Sequence, residues 1–389
     1  MKELKVLITN HSLRERTGAE MYTYDLARGL LALGHRPVLY SPRPGALAAR
    51  IRFETVPVLD DLERMESPPD IIHGQHADET VTALLRFPST PAVYVCHDWY
   101  NSIDVPPRFP RVLRYVAVDS QCRDKLVVEH GVPEESVRVM LQFVDLEKFR
   151  PRAPLPRRPR RALVLCNYTR ENAYLEALRA ACARAGVSLD VYGLGVGRSH
   201  GHPEELMREY DVVFAKARTA LEALAVGVSV VVYWWRRLGP VVTLEGLDRL
   251  RRENFGMRAM GRPLTPEEFG RQAEEALASY DAGEAARVSE RVRAEAGRDR
   301  LVGEYVGLYE SVIEEHAADS SRDEEAEARA AAAYLRSLSL AKAKEYEALS
   351  DTMTFRLRER FLRMPLIGRA AHALVRATAG ARRAARHES

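Results

Sequence analysis

Cysteine is scarce in this chain, with four among 389 residues. Cys96, Cys122, Cys166 and Cys182 have no CxxC spacing, and three of them lie in or beside apolar runs where a small buried hydrophobe fits, so neither a disulfide framework nor a zinc site is expected. No stretch reaches eighteen consecutive apolar residues, which argues against a membrane-spanning helix. The amino-terminal MKELKVLITN is too short in its apolar part, and too soon interrupted, for a signal peptide and reads as a first strand. Charge of one sign is also lacking: the formal net charge is +3, so the molecule as a whole is not a nucleic-acid binder. The GxGxxG dinucleotide fingerprint is absent, as is any DxD-like acidic cluster in a suitable loop. These absences leave a reduced, cytoplasmic protein for which no cofactor is expected.

What is present is enough apolar content, 46%, to bury genuine cores, in a length that suits two or three domains. Residues 1–150 alternate β-rich runs (Leu4–Thr9, Pro37–Tyr40, Ile71–His73, Ala92–Cys96, Tyr115–Val118) with helical patterns (Ala19–Leu33, Thr80–Phe87, Gln121–Glu129). That alternation predicts a parallel sheet covered on both faces. FRPRAPLPRRPRR, Phe149–Arg161, is too rich in proline for a central strand or a helix interior, and it places a linker at 151–161. The alternation restarts over 162–299, with strands at Ala162–Cys166, Ser188–Tyr192, Val212–Phe214 and Val228–Tyr233 and helices at Ala173–Ala185 and Ala220–Val226. The expected fold is therefore α/β, with two Rossmann-like doubly wound domains facing across a cleft and a C-terminal helical extension. Residues 267–316 read as three helices. Residues 324–350 have the Ala- and charge-rich composition of a long solvated helix or coiled coil, a candidate for self-association. From Thr352 to Ser389 nine arginines stand against two glutamates and interleave with Phe355, Leu357, Phe361, Leu362, Leu366 and Ile367. That make-up suits a helix on an anionic lipid surface, hence peripheral attachment to the inner face of the cell membrane. Without aromatic stacking platforms it is a poor fit to nucleic acid.

Four groups of residues could carry chemistry. In DVVFAKARTALEALAVGVSVVV a strand leads into a loop with Lys216 and Arg218, followed by a helix with Glu222. Two cations at a helix N-terminus match a diphosphate, and a carboxylate one turn on can accept from both hydroxyls of a ribose. The same spacing also fits a surface helix pair between Arg218 and Glu222. Gly18 opens a helix after the first strand, either as an ordinary turn glycine or as a site where an anionic group approaches free backbone amides. His73, His76 and His97 end apolar strands; their spacing straddles a turn, which disfavours a metal. His97, next to Asp98, reads either as a polarising imidazole or as a hydrogen-bonded strand-end histidine. Gly193, Gly195 and Gly197 form a Gly-rich loop able to cradle a phosphate or base.

Taken together, TGAEMYTYDLARGLLALGHRPVLYSP, DIIHGQH, VYVCHD and YVAVDSQCRDKLVVEHGVPEESVRVMLQFVDLEKFRP resemble the retaining nucleotide-sugar glycosyltransferases of the GT-B fold, glycosyltransferase family 4 (group 1), over roughly residues 1–316. The resemblance implies that residues 300–316 cross back to the acceptor-side first domain. It also implies that Gly18 lies near the donor phosphates, that Glu20 supports its loop, that His97 faces the transferred sugar and that Glu222, the second glutamate of an E-x7-E motif, holds the ribose. Departures are clear. Phe214 stands for the first glutamate, Ala215-Lys216-Ala217 for Gly-Phe-Gly, and Gln142-Phe143 for Asn-Gly. Cys166-Asn167-Tyr168-Thr169-Arg170 occupies the place of a Gly-Arg plus Lys pair, which leaves Arg170, Lys216 or Arg218 to neutralise the diphosphate. The implied activity is metal-independent hexosyl transfer with retention, from a nucleoside diphosphate sugar to a glycan or lipid-linked acceptor in polysaccharide biosynthesis. Competing readings are a soluble-sugar phosphorylase or synthase of the same architecture, and a catalytically silent partner or scaffold protein, which Phe214 favours.

Overall fold

A computed structural model describes residues 2–319 and 323–353, so most of the basic tail lies outside the described residues. The described residues up to Asp323 form one compact unit, and those from Glu324 on belong to a second.

The first sheet has seven parallel strands in the order β3-β2-β1-β4-β5-β6-β7. They are β1 (Lys5–Thr9), β2 (Arg36–Tyr40), β3 (Val58–Leu59), β4 (Ile71–Gln75), β5 (Ala92–Cys96), β6 (Val112–Ala117) and β7 (Val137–Val139). β4 and β5 are buried at every position and β1 at four of five, which is why these segments read as continuous apolar runs and not as alternations. Helices α1 (Gly18–Ala32), α2 (Ala46–Phe53), α3 (Ala77–Arg86) and α4 (Ser120–Asp124, continued by a π turn over Lys125–Glu129) connect them.

The second sheet has the order β12-β11-β10-β8-β9, from β8 (Arg161–Leu165), β9 (Ser188–Tyr192), β10 (Val212–Ala215), β11 (Ser229–Trp234) and an antiparallel edge strand β12 (Arg237–Val241). Its helices are α5 (Ala173–Arg184), α6 (Pro203–Leu206), α7 (Ala217–Val226), α8 (Leu247–Arg252), α9 (Pro266–Ala278) and α10 (Ala282–Glu295). Two apolar clusters lie on its opposite faces, one around Leu163, Val213 and Leu224 and the other around Val164, Phe214 and Phe269.

Two segments join the sheets side by side. Val144 forms a parallel bridge with Gly297, its N–H donating to Ala296 O at 2.9 Å while Arg298 N–H donates to Val144 O at 2.9 Å. Helix α11 (Arg298–Ala318) then lies on α1. The approach is close enough that a Cβ at Gly29 would stand 2.7 Å from Val302 Cγ2, so glycine is needed there for packing. Tyr309 of α11 is buried, with its hydroxyl 2.7 Å from His73 Nδ1.

The Pro- and Arg-rich segment is less free than its composition suggests. Arg152 N–H donates to Val226 O at 2.9 Å and the Tyr280 hydroxyl to Pro156 O at 2.9 Å, strapping it to the second sheet's helices. Helix α12 (Glu324–Ser350) belongs to the second unit and has no buried residue. No described helix is long and apolar enough to cross a membrane.

Candidate active site

The carboxyl end of β1 turns through Asn10–Thr17 into α1, and this turn is fixed by side chains. Asn10 Nδ2 donates to Thr23 Oγ1 at 2.8 Å, and one Glu20 oxygen accepts the Thr17 N–H at 3.0 Å. A carboxylate in the first turn complements the positive end of α1 and holds Gly18 exposed at its tip.

Opposite stands α7. Arg218, in its first turn, is buried between two carboxylates: its Nε donates to Glu222 Oε1 at 2.7 Å and its Nη2 to Asp25 Oδ2 of α1. Burial opposes the charge on Arg218, but Asp25 and Glu222 more than offset it and raise its pKa. Burial raises the pKa of Glu222, with Arg218 and Lys148 pulling the other way. Arg218 Nη1 and Asp25 Oδ1 are inaccessible and have no hydrogen-bond partner among the described residues.

Between these walls lies a cleft of about 400 Å3 lined by Arg16, Gly18, Lys148, Asn167, Arg218 and Glu222, among others. Its far side is the Gly-rich loop after β9. A Cβ at Gly193 would stand 2.0 Å from Cys166 O and one at Gly195 2.2 Å from Thr169 O, so these glycines let the loop seat directly on the turn after β8. Gly195 N–H donates to Asn167 O at 2.9 Å. The loop thus forms a wall of the cleft through Gly193 and Leu194.

The residues singled out in the sequence are not all at this cleft. Gly18, Arg218 and Glu222 line it, and Glu20 braces its rim. Lys216 does not. Its ammonium sits 3.7 Å from the Trp234 ring centroid and 5.9 Å from that of Tyr168, and burial lowers its pKa. Arg170 is exposed and outside the lining. His97 packs under Tyr22, ring centroids 4.5 Å apart, with Nε2 inaccessible and without a partner among the described residues. Its imidazole is held neutral by burial, then by His76 and His73. Phe143 also packs on Tyr22 in a tilted contact, ring centroids 5.1 Å apart. Phe214 is fully buried against Tyr233, so no carboxylate projects from that position. All four cysteines are buried and free, and no group of three or more metal-ligating side chains occurs among the described residues.

Sequence reasoning missed Asp25, Arg16, Lys148 and Asn167. Asp25 alone left a signal: a carboxylate within YTYDLARGLL, an otherwise apolar stretch of helix, must find a buried partner.

Residues 16–148 match the family model Glycosyltransferase Family 4. Among solved structures the chain is similar to a glycosyltransferase from Rickettsia africae ESF-5, at 14% identity and TM-score 0.57, over 80% of this chain and 99% of that one. It is also similar to the catalytic domain of starch synthase IV from Arabidopsis thaliana, solved bound to ADP and acarbose, at 11% identity and TM-score 0.54, over 80% of this chain and 100% of that one. No curated protein matches the sequence. The fold is therefore that of the GT-B glycosyltransferases, carrying a family 4 segment in its first half.

Proposed function

We propose that the chain is a glycosyltransferase that takes a sugar from a nucleoside diphosphate sugar bound in the cleft between α1 and α7. The observation that carries this reading is the pairing, on facing walls, of a helix N-terminus at Gly18 with the buried Arg218–Glu222 pair. Free amides at Gly18 suit a diphosphate, and Glu222, held in place by the buried Arg218, suits the ribose hydroxyls. Glu20 keeps the Gly18 turn in place. Arg16, exposed on the rim with Nη1 donating to Gly201 O at 2.6 Å, supplies the cation that the sequence offered to Lys216 and Arg170; those two would join it only after the aromatic stack opens or the loop after β8 moves. His97 would meet the transferred sugar only once Tyr22 shifts. Charge building on the departing diphosphate is stabilised by these groups without a metal.

Thermal stabilisation by a panel of UDP, ADP and GDP sugars tests the donor site. A ligand at a hundred times its Kd adds about 2.7 kcal/mol, and Glu222→Ala should abolish most of that shift. A silent partner protein, the reading Phe214 favours, would bind nucleotide at most and never turn over a labelled sugar nucleotide.

For the acceptor, the composition of residues 352–389 supports a glycan or lipid-linked molecule at the membrane surface. The full chain should co-sediment with vesicles containing about 30% anionic lipid, weakening with salt as Debye screening shortens, and a chain ending at residue 351 should not. Equal pelleting of both forms would refute membrane attachment. Retention of configuration is what the family resemblance supports.

A further inference from the structure

At the carboxyl ends of β1 and β2, the edge at which open parallel sheets bind ligands, two arginines from different turns share one outward face. Leu13, past β1, forms a parallel bridge with Pro44, past β2, and its N–H donates to Arg43 O at 3.0 Å. Leu13 is buried, and side chains alternate along paired extended backbone, so the flanking Arg14 and Arg43 both turn to solvent. The two turns pack backbone to backbone: a Cβ at Gly45 would stand 2.6 Å from Arg14 Cα. Ser12 Oγ accepts the Arg14 N–H and Ser41 Oγ the Arg43 N–H, each at 3.3 Å.

Arg43 is located without being neutralised. Its Nη1 lies 2.8 Å from His11 Nε2; an arginine can only donate, so that nitrogen carries the lone pair. The other side of the ring is fixed by Glu79, 4% exposed, whose Oε1 accepts from His11 Nδ1 at 2.9 Å. The imidazole thus stands between the guanidinium and the carboxylate. Neither Arg14 nor Arg43 forms an ion pair among the described residues. The acids of the neighbouring turn are engaged elsewhere: Asp60 accepts from Arg64 at 2.9 Å and Asp61 from the Glu63 N–H at 3.0 Å. Arg14 and Arg43 also lie outside the lining of the donor cleft, whose wall begins one residue on, at Glu15. Two fixed guanidiniums without a counter-charge match a phosphate group, whose oxygens can accept a planar fork from each.

We propose that Arg14 and Arg43 bind a phosphate group carried by the acceptor, with His11 as the positioning residue of Arg43. This rests on the cleft being a sugar-nucleotide site. The phosphate arrives either on a soluble ester or on a lipid headgroup, and holding it here leaves an acceptor hydroxyl beside the donor cleft.

The test titrates the full chain with sn-glycerol 3-phosphate and, separately, with phosphatidylcholine vesicles carrying phosphatidic acid, which presents the same phosphomonoester on a lipid. Whichever of UDP, ADP and GDP stabilises the chain most is kept saturating, so that the donor cleft cannot take the phosphate. The native chain should bind at least one carrier, and the carrier that works identifies the source. Arg14→Ala and Arg43→Ala should each raise the Kd by about tenfold or more, the worth of one charge-assisted hydrogen bond, with stabilisation by the nucleotide unchanged. Arg43→Lys keeps the charge but not the fork and should fall between. His11→Ala should weaken binding about as much as Arg43→Ala, and combining the two should add nothing, whereas independent structural losses would add. Because the basic tail can also meet vesicles, the lipid arm is read as the difference between the native chain and the Arg14→Ala, Arg43→Ala double variant. Equal binding by those two in both arms, or none by either, overturns the phosphate site and leaves the sugar-nucleotide reading standing. If no nucleotide stabilises the chain, that reading fails, and the same titration without nucleotide still decides whether the arginines hold phosphate.

Discussion

Replacing Arg218 by methionine is expected to destabilise the first unit by about 3–5 kcal/mol, the range seen when one partner of a buried ion pair is removed. The side chain is 9% exposed, and the acids it separates are 1% (Asp25) and 11% (Glu222) exposed, so solvent screening gives little relief. Methionine keeps the length and most of the packing, so the loss reports the stranded carboxylates. At a few degrees of Tm per kcal/mol for a chain of this size, calorimetry should show a fall of roughly 6–12 °C. The effect has a pH signature. Burial already raises the Glu222 carboxyl above its ordinary range in the native state. Without the guanidinium that opposes this, the rise is larger, and the folded form binds a proton that the unfolded form has released. Stability therefore falls as pH climbs from the ordinary carboxylate range through the raised value, and the deficit should be smaller near pH 4.5 than near pH 8. Adding Asp25→Asn and Glu222→Gln should recover most of the loss. Failure of that triple variant to recover would show that Arg218 acts through packing alone.

Asp25 and Arg218 are 193 positions apart, which explains what the sequence could and could not show. Strands β1, β4, β5 and β10 and the helices between them were legible because their burial is continuous and their turns are marked by Gly, Pro or Asn. Edge elements were not. β7 is half-buried or exposed throughout and β12 mixes buried with exposed positions, so neither shows the apolar run that betrays a strand, and five of the eight residues of α2 are alanine or arginine. The same asymmetry governs the site. Glu222 and Gly18 are local signals, a carboxylate one turn into a helix and a glycine at a helix start. Lys216 gives an identical local signal, but Trp234 and Tyr168 capture its ammonium from other turns of the second sheet. A cation at a helix N-terminus looks the same in sequence whether it meets a ligand or an indole ring. His97 was read at a strand end, correctly in position, yet Tyr22 and Phe143 arrive from a helix and a linker to cover that region.

Asp145→Ala is expected to cost about 3–5 kcal/mol as well, by a different route. Asp145 is 1% exposed and sits where the two connections between the sheets run together. Oδ2 accepts from Arg28 Nη1 of α1 at 3.0 Å and from Arg298 Nη1 of α11 at 2.7 Å. Oδ1 accepts the N–H groups of Glu147 and Lys148 at 3.1 and 3.2 Å. One carboxylate therefore ties the first sheet's lead helix, the crossing helix and the connection through Val144–Lys148 to each other. Alanine strands Arg298, whose side chain is 6% exposed and whose other carboxylate contacts, Glu147 and Asp299, are largely solvent-facing. It also unpins Lys148, a residue of the cleft wall. Chemical denaturation should show the midpoint fall, and hydrogen exchange should rise first at Val144–Lys148 and the start of α11, since opening begins where cross-linking contacts are fewest. Asparagine at 145 keeps both oxygen-side turns but not the double ion pair, so it should recover the linker protection and only part of the midpoint. If alanine and asparagine lose equally, the turn geometry carries no weight and the arginines alone hold the junction.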